Sequence, residues 1–234
     1  MPMKTMVMIP TYNERDNIKN LINDILSLNS DISIVVVDDN SPDGTSQLVE
    51  SSFGNNPRVD LICRMNDKGR GTAGIVGFQH ALNKGADYII EMDSDYSHHP
   101  KYIPALLKEI QDCDMVIGSR NIQDGKEVGR SIFRKFITWF ANLYIRIIMG
   151  INIKDCTSGY RCFRRQVLES IGLGKMVSTG PSIVEEILYA CHLKKYIIKE
   201  IPIIFEDRTH GNSTKNIGQY LDTAWKTLQF RLRM

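Results

Sequence analysis

The chain has 234 residues, with 29 basic and 27 acidic side chains and a formal net charge of +2, so its overall charge gives no sign of nucleic-acid binding. Its five cysteines are odd in number and none lies in a C-x-x-C pair, which disfavours a disulfide framework and a zinc site and fits a reducing compartment. No secretory signal precedes the first apolar run, and no segment reaches the roughly 18 apolar residues of a membrane span. We expect a soluble or peripheral protein.

Strand and helix patterns alternate through the first half of the chain. Short apolar runs predict strands, and apolar residues at helical spacing predict the helices between them. The predicted strands cover residues 6–9, 32–37, 59–63, 88–92 and 115–118, and the predicted helices cover 17–28, 45–53, a segment after the glycine-rich residues 69–77, and 102–111. Pro10 is predicted to end the first strand. This alternation favours one α/β domain over residues 1–234, with a doubly wound, mainly parallel sheet.

Two carboxylates one residue apart, Asp93 and Asp95, follow the predicted strand at 88–92. Acidic residues also follow two other predicted strands, at Glu14 and at the Asp38-Asp39 pair. Because ligands of open α/β sheets bind beyond the carboxyl ends of the strands, we expect these side chains to share a site. Two oxygen ligands suit Mg²⁺ or Mn²⁺ carrying a diphosphate. By itself, however, a D-x-D pattern more often marks a solvated loop, and Asp38-Asp39 fits an Asx-turn equally well.

Two basic and aromatic segments lie in the second half, at residues 130–149 and 216–234. Amphipathic helices with basic and aromatic residues can lie in the plane of a membrane interface. Packing of both segments on the sheet, or on each other, explains the same pattern, so both alternatives stay open.

Several motifs carry a specific resemblance to a known family. They read IPTYNE at 9–14, VDDNSPDGT at 37–45, DSDYSHHP at 93–100, GRGTA at 69–73, IGSR at 117–120, DCTSGYR at 155–161, and EIPIIF at 200–205 running into Asp207-Arg208. In order and over nearly the whole chain, they resemble the inverting family 2 glycosyltransferases of GT-A fold. Within that family they are similar to the polyprenyl-phosphate glycosyltransferases, the dolichyl-phosphate mannosyltransferases among them. The resemblance implies a GT-A (nucleotide-diphospho-sugar transferase, Rossmann-like) fold with amphipathic interfacial helices.

The resemblance also implies roles for individual residues. The donor nucleotide would be bound by Pro10, Tyr12, Glu14, Val37, Asp39, Ser94, Arg208 and Lys215. The metal, Mg²⁺ or Mn²⁺, would be bound by Asp93, Asp95 and Ser97, where many relatives have Gln in place of this serine. The residues implied in catalysis are Asp93, Asp95 and, for the lipid phosphate, Arg120, Arg130 and Arg134.

The implied reaction is inverting transfer of a sugar, mannose from GDP-mannose first, to dolichyl or polyprenyl phosphate. Such an acceptor is already anionic and needs positioning by arginines more than a general base. One alternative is transfer from UDP-glucose or another UDP-sugar to the same lipid. A second is transfer to a saccharide, with Asp155 as the base, and a third is a catalytically silent scaffold subunit.

The resemblance further implies a peripheral place on the cytoplasmic face of a membrane, the endoplasmic reticulum in a eukaryote or the plasma membrane in a prokaryote. Contact with that membrane would come from the two amphipathic segments, from a membrane-anchored partner subunit, or from both. His98 and His99 are predicted to shape the loop after the D-x-D pair, with a part in catalysis as the alternative. Glu185 and Glu186 are predicted to be solvated in the first turn of a helix.

Overall fold

The computed structural model describes residues 3–207 and 217–233. Its strands are β1 (Thr5–Thr11), β2 (Ile32–Asp38), β3 (Val59–Cys63), β4 (Tyr88–Glu91), β5 (Met115–Ser119), β6 (Lys126–Val128), β7 (Arg161–Arg164), β8 (Ile198–Pro202) and β9 (Ile204–Glu206). Seven of them form a central sheet in the order β3-β2-β1-β4-β7-β5-β8, and β6 pairs with β9. All pairs are parallel except those that β7 makes with β4 and β5, which confirms the predicted mainly parallel sheet.

The helices cover both faces of this sheet. They are α1 (Arg15–Leu28), α2 (Thr45–Phe53), α3 (Arg70–Asn83), α4 (Ile103–Glu109), α5 (Ile132–Met149), α6 (Arg165–Ser170), α7 (Ile183–Leu193) and α8 (Ile217–Arg233). Side chains of β2 alternate between two apolar cores, with Val35 and Val37 on one face and Ile34 and Val36 on the other. The first core also contains residues of α3 and α5 to α8, and the second contains residues of α1, α2 and α4.

The first strand continues through Pro10 to Thr11, so the prediction that Pro10 ends it is wrong. The carbonyl of Met8 accepts a hydrogen bond from the Met92 N–H, so Met8 faces β4. Pro10, two residues later, faces the same side, but the pairing of β1 with β4 has already ended at Met8. The missing N–H of Pro10 therefore costs no ladder hydrogen bond.

The glycine-rich segment is helical, because α3 begins at Arg70 rather than after it. A side chain at Gly71 would collide with the backbone carbonyls of residues 178–180, and the Gly71 N–H donates to the carbonyl of Thr179 at 2.9 Å. The absence of a side chain at this position lets the start of α3 lie directly against the loop before α7. Glu185 and Glu186 lie in the first turn of α7, and both are buried, so the prediction that they are solvated is wrong. The Glu186 carboxylate instead accepts the N–H groups of Val177 and Ser178, both at 2.9 Å.

The two amphipathic segments form α5 and α8, which contact each other. The Tyr144 hydroxyl of α5 donates to the Ala224 carbonyl of α8 at 3.0 Å. One side of α5 is buried, and its other side leaves a row of large apolar side chains exposed: Ile132, Phe133, Phe136, Phe140 and Ile147. Among the described helices none is long and apolar enough to span a membrane.

Candidate active site

The carboxyl ends of β1, β2, β4 and β5 lie at one edge of the sheet, because these four strands run in the same direction. The segments that follow them bring several predicted site residues to this edge: Tyr12 and Glu14 after β1, Asp39 after β2, Asp93 and Asp95 after β4, and Arg120 after β5. The expectation that the acidic clusters converge is therefore met by the strand order.

Asp95 is buried and is held by its own loop. Its Oδ1 accepts hydrogen bonds from the Ser97 N–H at 3.1 Å and from the Ser97 hydroxyl at 2.5 Å. Between them, Tyr96 has a positive φ of 62°, which turns the loop back on itself. The Ser97 hydroxyl thus supports the Asp95 carboxylate, and its role as a direct metal ligand stays a prediction.

Asp93 is the more accessible of the two carboxylates, with 31% of its side chain exposed. Its backbone N–H donates to Nδ1 of His98 at 3.0 Å, so that nitrogen carries no proton. The His98 ring is buried and stacks on Tyr160 with ring centroids 5.0 Å apart. Burial lowers the pKa of His98 below its ordinary value. A neutral, stacked imidazole that accepts from the backbone agrees with the predicted loop-shaping role.

A partly buried group of charged side chains, Arg70 with Glu91 and Asp93, supports the D-x-D loop. Arg70 donates from Nη1 to Oε1 of Glu91 at 3.1 Å and from Nη2 to Oδ1 of Asp93 at 3.0 Å. Burial by itself would lower the pKa of Arg70, but the charges of Glu91 and Asp93 hold it above its ordinary value. Burial also raises the pKa of Glu91, an effect that Arg70 and Arg161 oppose.

The donor atoms at this edge fit a hard divalent ion. Asp93 and Asp95 offer carboxylate oxygens, and Mg²⁺ is typically held by one or two carboxylates together with substrate phosphates. Within residues 3–207 and 217–233, no cluster of three or more His, Cys, Asp or Glu side chains is arranged to hold a metal. The two carboxylates thus suit an ion that also binds a diphosphate, and Ser97 stays a predicted third ligand.

The predicted nucleotide residue Asp39 lies in a charged bridge. Its Oδ1 accepts from Nε of Arg64 at 2.7 Å, and its Oδ2 accepts from the Gly69 N–H at 2.7 Å. Arg64 also donates to the carbonyl of Gly69 at 3.1 Å. Neighbouring Asp38 accepts from the N–H of Ser41, three residues later, and from the Ser46 hydroxyl, and so supports the turn after β2. Of the pair, Asp39 is the one that joins the β2 end to the start of α3.

The other residues predicted to bind the donor nucleotide differ in their exposure and contacts. Tyr12 is exposed, whereas the whole of Val37, main chain included, is buried and presents no surface to a ligand in this structure. The Ser94 hydroxyl donates to the Pro10 carbonyl at 3.5 Å, which joins the β1 end to the D-x-D loop. Arg208 and Lys215 lie outside the described residues.

On the other side of the D-x-D loop, Arg120 is bound by Asp155. Oδ2 of Asp155 accepts from Nε of Arg120 at 2.7 Å, and Oδ1 accepts from Nη2 at 2.6 Å. Despite burial, which raises it, the pKa of Asp155 lies below its ordinary value because of Arg120. A carboxylate held in this way is a poor proton acceptor, which speaks against Asp155 as the base of a saccharide transferase.

The remaining two arginines lie beyond Arg120. Arg130 donates to Glu127 at 3.0 Å, and Arg134 donates to Asp207 at 3.4 Å. The Phe205 ring lies between Arg120 and Arg130, whose guanidinium carbons are 5.2 and 5.7 Å from its centroid. The structure therefore brings Arg120 and Arg130 together, and Arg134 is the most exposed of the three.

A cavity of about 470 Å³ opens beside these arginines, between the β6 region and α5. It is lined by Arg120, Asn121, Gly125, Lys126, Glu127, Val128, Lys135, Thr138 and Trp139. The size is that of a small-molecule site, and the lining combines basic groups with apolar surface. Such a lining suits an anionic head group attached to an apolar chain.

Sequence reasoning missed the partners that hold the predicted residues in place. Most of these contacts join residues that are 20 or more positions apart in the sequence, and the partners are Arg64, Arg70, Glu91 and Phe205. The sequence signal for Arg70 was its place between two glycines at the start of a helix, and Glu91 was a charged residue at the end of an apolar strand.

Comparison with known proteins gave three results. The sequence pattern of glycosyl transferase family 2 matches residues 6–172. Undecaprenyl-phosphate mannosyltransferase of Micrococcus luteus is 36% identical to this chain over 217 residues, which cover 92% of this chain and 89% of that protein. Polyprenol monophosphomannose synthase of Mycolicibacterium smegmatis is 33% identical over 232 residues, which cover 98% of this chain and 88% of that protein. Glucosyl-3-phosphoglycerate synthase from Mycobacterium tuberculosis, solved with Mn²⁺, UDP and glucosyl-3-phosphoglycerate, has a similar fold, with a TM-score of 0.70 at 18% identity over 99% of this chain and 80% of that one.

Proposed function

The chain belongs to glycosyl transferase family 2 and is a glycosyltransferase, and we propose a specific reaction for it. In this proposal it transfers mannose from GDP-mannose to a polyprenyl phosphate, with inversion at the anomeric carbon. The observation that carries the proposal is the near-full-length similarity to two enzymes named for polyprenyl-phosphate mannose transfer. A carboxylate pair after β4 and a cavity lined by Arg120, Lys126 and Lys135 agree with a diphosphate donor and an anionic lipid acceptor. We take residues 1–234 as one domain.

On the donor side, Asp93 and Asp95 would hold a divalent ion, with Mn²⁺ or Mg²⁺ both compatible with oxygen ligands. When bound, this ion neutralises charge on the departing diphosphate. Asp39, Tyr12 and Glu14 would bind the nucleoside, with the Arg64 bridge fixing the Asp39 carboxylate. Arg208 and Lys215 are proposed to add positive charge at the leaving group.

On the acceptor side, the cavity lined by Arg120 would receive the lipid phosphate, with Arg130 and Arg134 as further candidates to bind it. Guanidinium groups match phosphate oxygens in geometry and keep their charge at every physiological pH. The acceptor oxygen is then already anionic, and the chain needs to orient it rather than to remove a proton. The engagement of Asp155 by Arg120 agrees with a reaction that uses no general base.

The proposal is tested by an assay of the full chain with undecaprenyl phosphate in detergent. GDP-mannose, UDP-glucose and UDP-GlcNAc are each supplied with Mn²⁺, with Mg²⁺, or with EDTA. We expect a lipid-linked monophosphate sugar from GDP-mannose, with inverted configuration at the anomeric carbon, and no product in EDTA. Product from UDP-sugars alone would show that the donor assignment is wrong, and no product from any donor would favour the scaffold alternative.

We further propose that the chain is peripheral to the membrane that contains its lipid, and that it binds this membrane through the exposed side of α5. This side presents Ile132, Phe133, Phe136, Phe140 and Ile147, and it adjoins the cavity through Trp139. Apolar side chains of an amphipathic helix bind the boundary between head groups and acyl chains, and neighbouring basic residues attract anionic lipid.

Replacing Phe133, Phe136 and Phe140 by serine should lower binding to vesicles of phosphatidylcholine and phosphatidylglycerol at least about tenfold, since one factor of ten needs only ~1.4 kcal/mol of lost apolar burial. Flotation of the purified protein measures the bound fraction. Leu193→Ser/Ile197→Ser is the matched control, because both side chains are exposed and apolar but precede β8, at the opposite edge of the sheet. Flotation unchanged in the triple variant would contradict the role of α5, and no flotation of the wild type would favour a membrane-anchored partner.

A further inference from the structure

Arg70 links the end of β4 to the first carboxylate of the D-x-D pair. One guanidinium nitrogen contacts Glu91, the last residue of the strand, and the other contacts Asp93. Glu91 is 1% exposed, so it gives the guanidinium a fixed point inside the fold. The position of Oδ1 of Asp93 therefore depends on the side chain of Arg70 in α3, 23 residues earlier in the chain.

The absence of a side chain at Gly159 is a second feature that bears on the position of Arg70. Gly159 lies against the guanidinium, and a Cβ built at this residue would collide with Nη2, the nitrogen that contacts Asp93. The other neighbours of such a Cβ are the carbon at 3.5 Å in the same guanidinium and a ring carbon of His98 at 3.7 Å. The absence of a side chain at Gly159 thus leaves the space in which Arg70 reaches Asp93.

We propose that Arg70 is a positioning residue for the divalent ion: its guanidinium, fixed by Glu91 and seated on Gly159, holds Oδ1 of Asp93 so that this carboxylate is oriented for the metal before the donor binds. The inference rests on the proposed function, which requires the ion. It gives Asp93 the support that Ser97 gives to Asp95, where Ser97 donates to Oδ1. Oδ1 of each carboxylate of the pair is then held by a hydrogen bond from the chain before the ion binds.

Outer partners of this kind orient metal-binding carboxylates, and their loss typically weakens metal affinity or activity by about 10- to 100-fold. A structural role for the same ion pair makes a different prediction. Arg70 and Glu91 carry opposite charges, so Arg70→Met together with Glu91→Gln removes the pair without changing the net charge, and Glu185 remains as an opposite charge near the buried Arg161 guanidinium. If the pair served only stability, this double substitution would leave metal affinity as it is.

The experiment measures Mn²⁺ binding by electron paramagnetic resonance of the free ion, with and without GDP, in the full chain. The variants are Arg70→Met/Glu91→Gln and, independently, Gly159→Ala, which displaces the guanidinium but changes no charge. Lys84→Met is the matched control, because Lys84 pairs with Asp60 at 3.1 Å at the other end of the same helix. The melting temperature without metal is recorded for each protein, and the Mn²⁺ dependence of turnover separates KM for the ion from kcat.

We expect both test variants to bind Mn²⁺ at least about tenfold more weakly than wild type, with KM for the ion raised and kcat at saturating Mn²⁺ changed far less. The control should match the wild type. Wild-type affinity in Gly159→Ala, or in a folded Arg70→Met/Glu91→Gln protein, would overturn the inference and leave the proposed function standing. If the double variant fails to fold, Gly159→Ala decides alone. Absence of Mn²⁺ binding and of turnover in the wild type would refute the proposed function itself, and the inference with it.

Discussion

Replacement of Asp95 by alanine is expected to lower mannose transfer about 10²- to 10³-fold or more, the effect of removing one group that stabilises charge developing in a transition state. Asp95 is the more buried carboxylate of the D-x-D pair, and it accepts two hydrogen bonds from Ser97. Its removal would take away one of the two carboxylates proposed to hold the divalent ion, and with it part of the neutralisation of the departing diphosphate. The rate is measured with GDP-mannose and polyprenyl phosphate across a range of Mn²⁺ concentrations.

The fold should survive this substitution, because Asp95 lies in the loop after β4 and contributes nothing to either apolar core. Asp112→Ala is the matched control, an exposed carboxylate just before β5 at the opposite edge of the sheet. A silent scaffold would bind its partners equally well with and without Asp95. Turnover of Asp95→Ala within a factor of about three of the control would contradict the metal-binding role of this residue.

The sequence predicts the place of the site better than its internal contacts. Asp93 and Asp95 follow an apolar run directly, and the strand order then brings them beside Asp39 and Arg120. This placement depends on local pattern plus one general rule about the edges of parallel sheets. The identity of the group that holds each carboxylate depends instead on contacts between distant segments, such as Arg70 with Asp93, and no local pattern contains that information.

The errors in the predicted elements have physical causes as well. The strand Arg161–Arg164 has two charged residues among four, so no apolar run reveals it, and it enters the sheet between β4 and β5 in the antiparallel direction. Arg161 is fully buried because its guanidinium donates to the carbonyls of Cys156, Ser158 and Val184. A charge satisfied by carbonyls is compatible with a core, although charge in a sequence normally indicates a surface.

For the basic and aromatic segments, the two alternatives read from the sequence are not exclusive. Amphipathic spacing states that a helix has one apolar side, but not what covers it. In α5 the apolar residues occupy more than one side of the helix. Ile145 and Met149 are buried in a core, whereas Phe133 and Phe140 are exposed. Only the three-dimensional arrangement separates the side that packs on the protein from the side that is available to a membrane.

Replacement of Asp155 by asparagine is expected to destabilise the protein by about 3–5 kcal/mol, the usual cost of leaving a buried charge without its partner. Asp155 is fully buried and accepts from Arg120 through both carboxylate oxygens. Asparagine has nearly the same shape but no charge, so of the salt bridges that Arg120 makes with the described residues, the one with Glu127 at 3.3 Å would remain. At this chain length the melting temperature should fall by roughly 10 °C, measured by calorimetry.

A double-mutant cycle assigns that loss to the ion pair. Arg120→Met/Asp155→Asn removes both charges, so it should be more stable than Asp155→Asn alone, whereas two independent losses would add.

The pH dependence of stability is a second test of whether the loss comes from the ion pair. Because Arg120 lowers the pKa of Asp155 in the folded protein, its stabilisation is present above the unfolded value of about 3.9 and disappears as the pH falls through the lower folded pKa. The difference in stability between wild type and Asp155→Asn should therefore be largest near neutral pH and shrink below pH ~4. A difference that stays constant over this range would show that the cost arises from shape or hydrogen bonding rather than from the charge on Arg120.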